Sequence, residues 1–129
     1  MTGLVTHFEI YGDDPANLAR FYARLFGWEI EKAPGIGYWR IQTQSKTGAG
    51  FDGGLTYRPA NCPNSWLPYV TVASVDEALA EAQRMGAEIV RPKTPVPRTG
   101  WYAVLEDPQG NSFAIWQTDR TAFPPPEPD

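Results

Sequence analysis

The chain has one cysteine and one histidine in 129 residues. A lone thiol, Cys62, cannot close an internal disulfide, so the fold must be held by its core, and the cytoplasm is the expected location. Cys62 lies among prolines and loop formers in "RPANCPNSW" and reads as a loop thiol without a role. Charge of one sign is also missing. Eleven Lys and Arg against fifteen Asp and Glu leave a net charge of -4 with no basic stripe, which argues against nucleic-acid binding. No apolar run approaches the roughly 20 residues of a membrane span. The start, "MTGLVTHFEI", lacks a positive region followed by an apolar one, so no signal peptide is expected.

Aromatic residues, by contrast, are plentiful: five Trp, six Tyr and six Phe, enough for both a core and the walls of a pocket. The chain also nearly repeats itself. "HFEIYGDDPANLARFYARLFGWEI" aligns with "YVTVASVDEALAEAQRMGAEI", setting His7 over Tyr69, Asp14 over Asp76 and Gly27 over Gly86. Each copy reads as strand, helix, strand. Phe8 and Ile10 alternate with His7, Glu9 and Tyr11; Val70 and Val72 alternate with Tyr69, Thr71 and Ala73. Asp14 can cap the first helix with Pro15 at its first position, and Ser74 to Glu77 offers a capping box for the second. Leu18, Phe21, Tyr22 and Leu25 form the predicted apolar stripe of one helix; Ala78, Leu79, Ala82 and Met85 form that of the other.

Three strands are predicted after each helix: 28–32, 38–43 and 53–57, then 88–92, 101–106 and 112–117. "DPQGN" is a hairpin turn signal, and "QSKTGAGFDGG" is turn-rich. The expected organisation is one domain over 1–129. It comprises a unit at about 4–58, a linker at about 59–66, a second unit at about 67–118 and a proline-rich disordered tail at about 119–129.

Two βαβββ units, with "FYARLFGW" in the first and "DPQGNSFAIWQ" closing the second, resemble the vicinal oxygen chelate superfamily of glyoxalases, extradiol dioxygenases and bleomycin-binding proteins. The resemblance covers about residues 4–118 and falls in the glyoxalase-like group. It implies an α+β fold whose two units form a curved mixed sheet, a cup, with the helices outside. In metal-dependent members, four ligands come from the first and last strands of each unit, and the ion binds two neighbouring oxygens of the substrate. Carried over residue by residue, those positions are His7, Gly54, Tyr69 and Ala114. Only His7 is a donor suited to a first-row metal, which needs three or four. No metal or other cofactor is therefore expected, unless a divalent ion is held by a site reorganised around His7 with Glu9 and Asp52.

Alternation assigns the remaining faces. With Trp39 and Ile41 under a helix, Tyr38, Arg40 and Gln42 face the cup; with Phe113 and Ile115 under the other, Ser112, Ala114 and Trp116 do. The predicted ligand-binding residues are Tyr38, Arg40, Tyr69, Thr71 and Trp116, and the acid–base candidates are His7 and Glu9. Plain structural roles stand beside these: a hydrogen-bonded core histidine, a cross-strand Glu9–Arg40 pair, and Trp66 and Trp101 as packing. The reading is a metal-independent binding protein for a small, partly aromatic molecule. The alternative is a lyase, isomerase or dioxygenase-like enzyme using a reorganised metal site or His7 and Glu9. The resemblance also implies a homodimer.

Overall fold

The computed structural model describes residues 3–43, 48, 50–60 and 65–123. Cys62, Gln44–Thr47 and the last six residues lie outside that set, and with them the reading of the thiol and of most of the proline-rich tail. Eight strands and two helices run in the order β1 (Leu4–Gly12), α1 (Pro15–Phe26), β2 (Glu29–Lys32), β3 (Tyr38–Gln42), β4 (Gly53–Tyr57), β5 (Trp66–Thr71), α2 (Val75–Arg84), β6 (Glu88–Val96), β7 (Gly100–Glu106) and β8 (Ser112–Thr118). This is the α+β pattern of two βαβββ units. Two compact units result, Thr6–Pro68 and, among the described residues, 3–5 with 69–123.

In the first unit the strand order is β2-β3-β4-β1, with β1 parallel to β4 and the other pairs antiparallel. The second repeats it as β6-β7-β8-β5, with β5 parallel to β8. A parallel pair needs a long crossover, and each unit places a helix there. Both helix starts are capped by side chains: Asp14 accepts from the Asn17 N–H at 3.2 Å, and Ser74 accepts from the Glu77 N–H at 3.1 Å. Pro15 sits at the start of α1, and Gly27 ends it in the left-handed region at φ 73°.

The first core joins Phe8, Ile10, Ala19, Trp39, Ile41 and Leu55, with Leu18, Tyr22, Trp28 and Ile30 packed against it. The second joins Val72, Val75, Ala78, Ala103, Leu105 and Ile115, with Val70, Leu79, Ala82 and Phe113 packed against it. These lists match the helix-facing residues that alternation selected. A fully buried leucine such as Leu55 contributes about 2–3 kcal/mol from burial alone.

Four expectations are corrected. The α1 stripe is rotated: Leu18 and Tyr22 pack inward, but Phe21 and Leu25 are more than half exposed. The small residues Ala16 and Ala19 approach the sheet in their place, so the helix lies closer than a Phe or Leu would permit. Met85 leaves the α2 stripe; it is the C-cap and is exposed. Strand β6 runs to Val96, past Pro92, because register shifts between Ile89, Arg91 and Thr94 absorb the prolines. Residues 119–122, expected in the tail, belong to the fold: the Arg98 N–H donates to the Ala122 carbonyl at 2.8 Å, and Ala122 is fully buried.

Candidate functional site

With Phe8, Ile10, Trp39, Ile41 and Leu55 under α1, strand alternation turns His7, Glu9, Tyr11, Tyr38, Arg40, Gln42, Gly54 and Thr56 to the opposite, helix-free face of the first unit. Glu9 is the centre of this face. Its carboxylate accepts a hydrogen bond from the Tyr11 hydroxyl at 2.8 Å and another from the Tyr38 hydroxyl. Burial raises the Tyr38 pKa, and the Glu9 charge and its hydrogen bond raise it further, so the phenol stays protonated. Tyr11 was visible in the sequence on the same face as Glu9 but was not counted as a site residue. The signal was its i+2 spacing from Glu9.

Glu9 and Arg40 both pair in register with Gly54, one from each side. Their backbones therefore stand two strand spacings apart, roughly 10 Å. Arg40 lines a cleft of about 300 Å³ with Glu29, Ile30, Glu31 and Gln42, along the outer strands. His7 has its Nδ1 3.4 Å from the Thr6 hydroxyl. Burial lowers the His7 pKa, opposed by the Glu9 charge, so the imidazole is neutral at pH 7.

In the second unit, Tyr69 pairs with Ala114 and Thr71 with Trp116. Tyr69 is 5% exposed, as Tyr11 is in the first unit, and Ala114 is fully buried. The Trp116 indole lies over Gly100, where an added Cβ would sit 2.5 Å from the ring, and donates to the Thr118 hydroxyl at 3.1 Å. Both other tryptophans noted in the sequence pack. Trp66 stacks on Phe8 at 5.2 Å, and Trp101 donates to Asp119 at 3.0 Å.

The registers correct the alignment of the repeat. Glu9 pairs with Gly54, Ile10 with Leu55 and Tyr11 with Thr56. Tyr69 pairs with Ala114, Val70 with Ile115 and Thr71 with Trp116. The helix caps are Asp14 and Ser74. Each member of the second set lies sixty residues after its counterpart. Glu9 is therefore the equivalent of Tyr69, and His7 is the equivalent of Leu67, which is fully buried. The sequence alignment had slipped by one pleat because it matched Asp14 with Asp76 and not with the capping serine.

The four ligand seats that the resemblance implies thus fall on His7 and Gly54 in the first repeat, and on Leu67 and Ala114 in the second. Three have no donor atom. The reserve ligands are engaged: Glu9 holds two phenols, and Asp52 accepts from the Thr43 N–H at 3.1 Å. Among the described residues, no group of three or more His, Cys, Asp or Glu is placed to hold an ion. This donor set does not fit a divalent first-row metal.

A family model described as "Glyoxalase-like domain" matches residues 8–116. A Mycobacterium tuberculosis protein named "Putative glyoxylase CFP32" is 31% identical over 118 residues, covering 88% of this chain and 44% of that protein. The anthracycline biosynthesis protein DnrV of Streptomyces peucetius is 28% identical over 129 residues, covering 89% and 47%. The chain spans about half the length of these curated relatives. A crystal structure of a glyoxalase/bleomycin resistance protein/dioxygenase superfamily member from Vibrio splendidus superposes with a TM-score of 0.62 at 14% identity, over 92% of this chain and 100% of that one. Among the described residues, no helix is long and apolar enough to cross a membrane.

Proposed function

Because the chain belongs to the glyoxalase-like domain family of the vicinal oxygen chelate superfamily, and its donor set does not fit a metal, we propose that it is a metal-independent small-molecule-binding protein. The ligand is a small, partly aromatic molecule seated on the helix-free face of the first unit, against Glu9, Tyr11, Tyr38 and Arg40. On the second unit, Tyr69, Thr71 and Trp116 occupy the matching strands and are proposed as ligand contacts of that unit's own face. The proposal includes a cytoplasmic location and a homodimer, the latter read by sedimentation equilibrium.

The observation that carries this reading is the carboxylate of Glu9 held by two phenols on a half-buried face. Side chains fixed by one another in this way lose little freedom when a ligand arrives, which favours affinity. Few polar groups among aromatic walls is also the usual chemistry of a small-molecule site. A thermal-shift screen of metabolites and antibiotics, followed by calorimetry, tests it. At least one compound should raise the melting temperature, and Glu9→Gln should weaken it by about tenfold or more, the worth of a hydrogen bond to a charged group. No stabilising compound, or a stoichiometric transition ion in protein purified without chelators, would sink the reading.

A second reading is a lyase or isomerase with Glu9 or His7 as general base. It is favoured by the neutral imidazole sharing a face with a carboxylate. For it, His7→Gln and Glu9→Gln must both abolish turnover of whatever compound the screen returns.

A further inference from the structure

This inference rests on the reading that the helix-free face of the first unit receives the ligand. Position 54 is a metal-ligand position in the superfamily, and in this chain it is more than vacant. A Cβ added there would lie 1.7 Å from the Tyr38 hydroxyl oxygen and 2.2 Å from the ring carbon bearing it. Tyr38 pairs with Thr56, so its ring reaches back along β4 to cover Gly54 and then meets Glu9 on the far side. The phenol bridges three strands across a floor where any side chain would have to displace it.

We infer that Tyr38 is the specificity-determining residue of this site: its phenol fills the volume of the missing ligand side chain and, with its proton donated to Glu9, presents only lone pairs, which selects ligands bearing a hydroxyl or ammonium donor over carboxylates and other oxyanions. The Tyr11 proton is likewise committed to Glu9. An oxyanion brought here meets a carboxylate and a phenol oxygen with no proton to offer. Arg40, the nearby cation, lines the adjoining cleft together with Glu29 and Glu31.

The test uses protein labelled with ¹³C at tyrosine Cζ and three probes that differ in one group: benzyl alcohol, benzylamine and benzoate. The Tyr38 resonance is assigned with Tyr38→Phe. The alcohol and the ammonium should shift it, with benzoate weaker by about tenfold, the scale of one lost hydrogen bond. In Tyr38→Phe, read on the Tyr11 resonance, that preference should shrink to the part the Glu9 carboxylate imposes. Glu9→Gln and Gly54→Ala, which remove the partner and the floor respectively, should each make Tyr38 titrate at lower pH. Tyr38→Ala/Gly54→Ala keeps the test valid if Gly54→Ala alone unfolds, because the double variant should recover stability. Benzoate preference, or an unchanged Tyr38 titration in Glu9→Gln, overturns this inference alone. Failure of all three probes to shift any tyrosine overturns the binding reading and this inference with it.

Discussion

The two units share strand order, the register of their parallel pair and a side-chain cap at the helix start, yet they fill the space between helix and sheet differently. In the first, rings dominate it: Tyr22 stacks on Trp28 at 5.7 Å, Phe8 on Trp66 at 5.2 Å, and Phe26 meets Trp28 at 5.0 Å, while a cleft of about 480 Å³ runs past Ile10, Asn17, Leu18, Tyr22 and Trp66. In the second, α2 offers Ala78 and Ala82, and a groove of about 290 Å³ stays open, lined by those alanines with Val70, Met85, Leu105 and Phe113. The helix-free faces differ too. One carries Glu9 clasped by two phenols; the other carries a buried Tyr69 against a buried Ala114. One backbone plan thus supports an aromatic half with a polar site and an alanine-rich half whose matching positions, Tyr69 and Ala114, carry no charge. Side-chain volume, and not strand order, sets the difference.

The comparison can be broken most forcefully at the cores. Leu55→Ala and Leu105→Ala each delete a fully buried leucine. Each should cost about 3–4 kcal/mol by urea denaturation. Leu105→Ala should be the milder, because the neighbouring groove gives α2 room to settle. Equal losses would show that the groove has no bearing on packing.

Adding volume should split the units by sign. Ala82→Leu extends into the groove and should stabilise by about 1 kcal/mol. Ala19 is buried in the first core, so Ala19→Leu overpacks it and should destabilise by about 2 kcal/mol. Thermal melts of the two variants check this, and a destabilising Ala82→Leu would erase the contrast.

The caps should be alike. Asp14→Ala and Ser74→Ala each remove an acceptor from one N–H and should cost about 1 kcal/mol apiece. The last contrast is in pH. The folded state lowers the His7 pKa below the ordinary 6.5, so the unfolded chain binds the proton more readily. Stability from this source is complete above pH 6.5 and is lost as the pH falls through the folded value. Since His7 is the only histidine, His7→Gln should flatten the dependence of the urea midpoint on pH just below 6.5.

Much of the fold was legible because a strand exposes its periodicity. Phe8, Ile10, Trp39, Ile41, Phe113 and Ile115 sit on the faces that alternation gave them, and Asp14, Gly27 and Ser74 end their helices as their chemistry dictates. The helix stripe was harder to read. A period of 3.6 leaves a choice of phase, and Phe21 and Leu25 looked as apolar as the residues that pack. The slipped repeat came from matching residue identity where the capping hydrogen bond holds the register; counting back five residues from Asp14 and Ser74 reaches Glu9 and Tyr69. Of the site, the face of Glu9, Tyr38 and Arg40 was legible. The role of Gly54 was not, because a glycine carries no mark of the ring that will lie across it.

That ring has a consequence for how the molecule can change. While Tyr38 covers residue 54, almost every point mutation there collides with a phenol before it can confer anything. A donor at that position therefore needs Tyr38 displaced or replaced as well. The two positions are thus coupled: residue 54 can gain a side chain only together with a change at 38, and Leu67 and Ala114 would still offer an ion nothing.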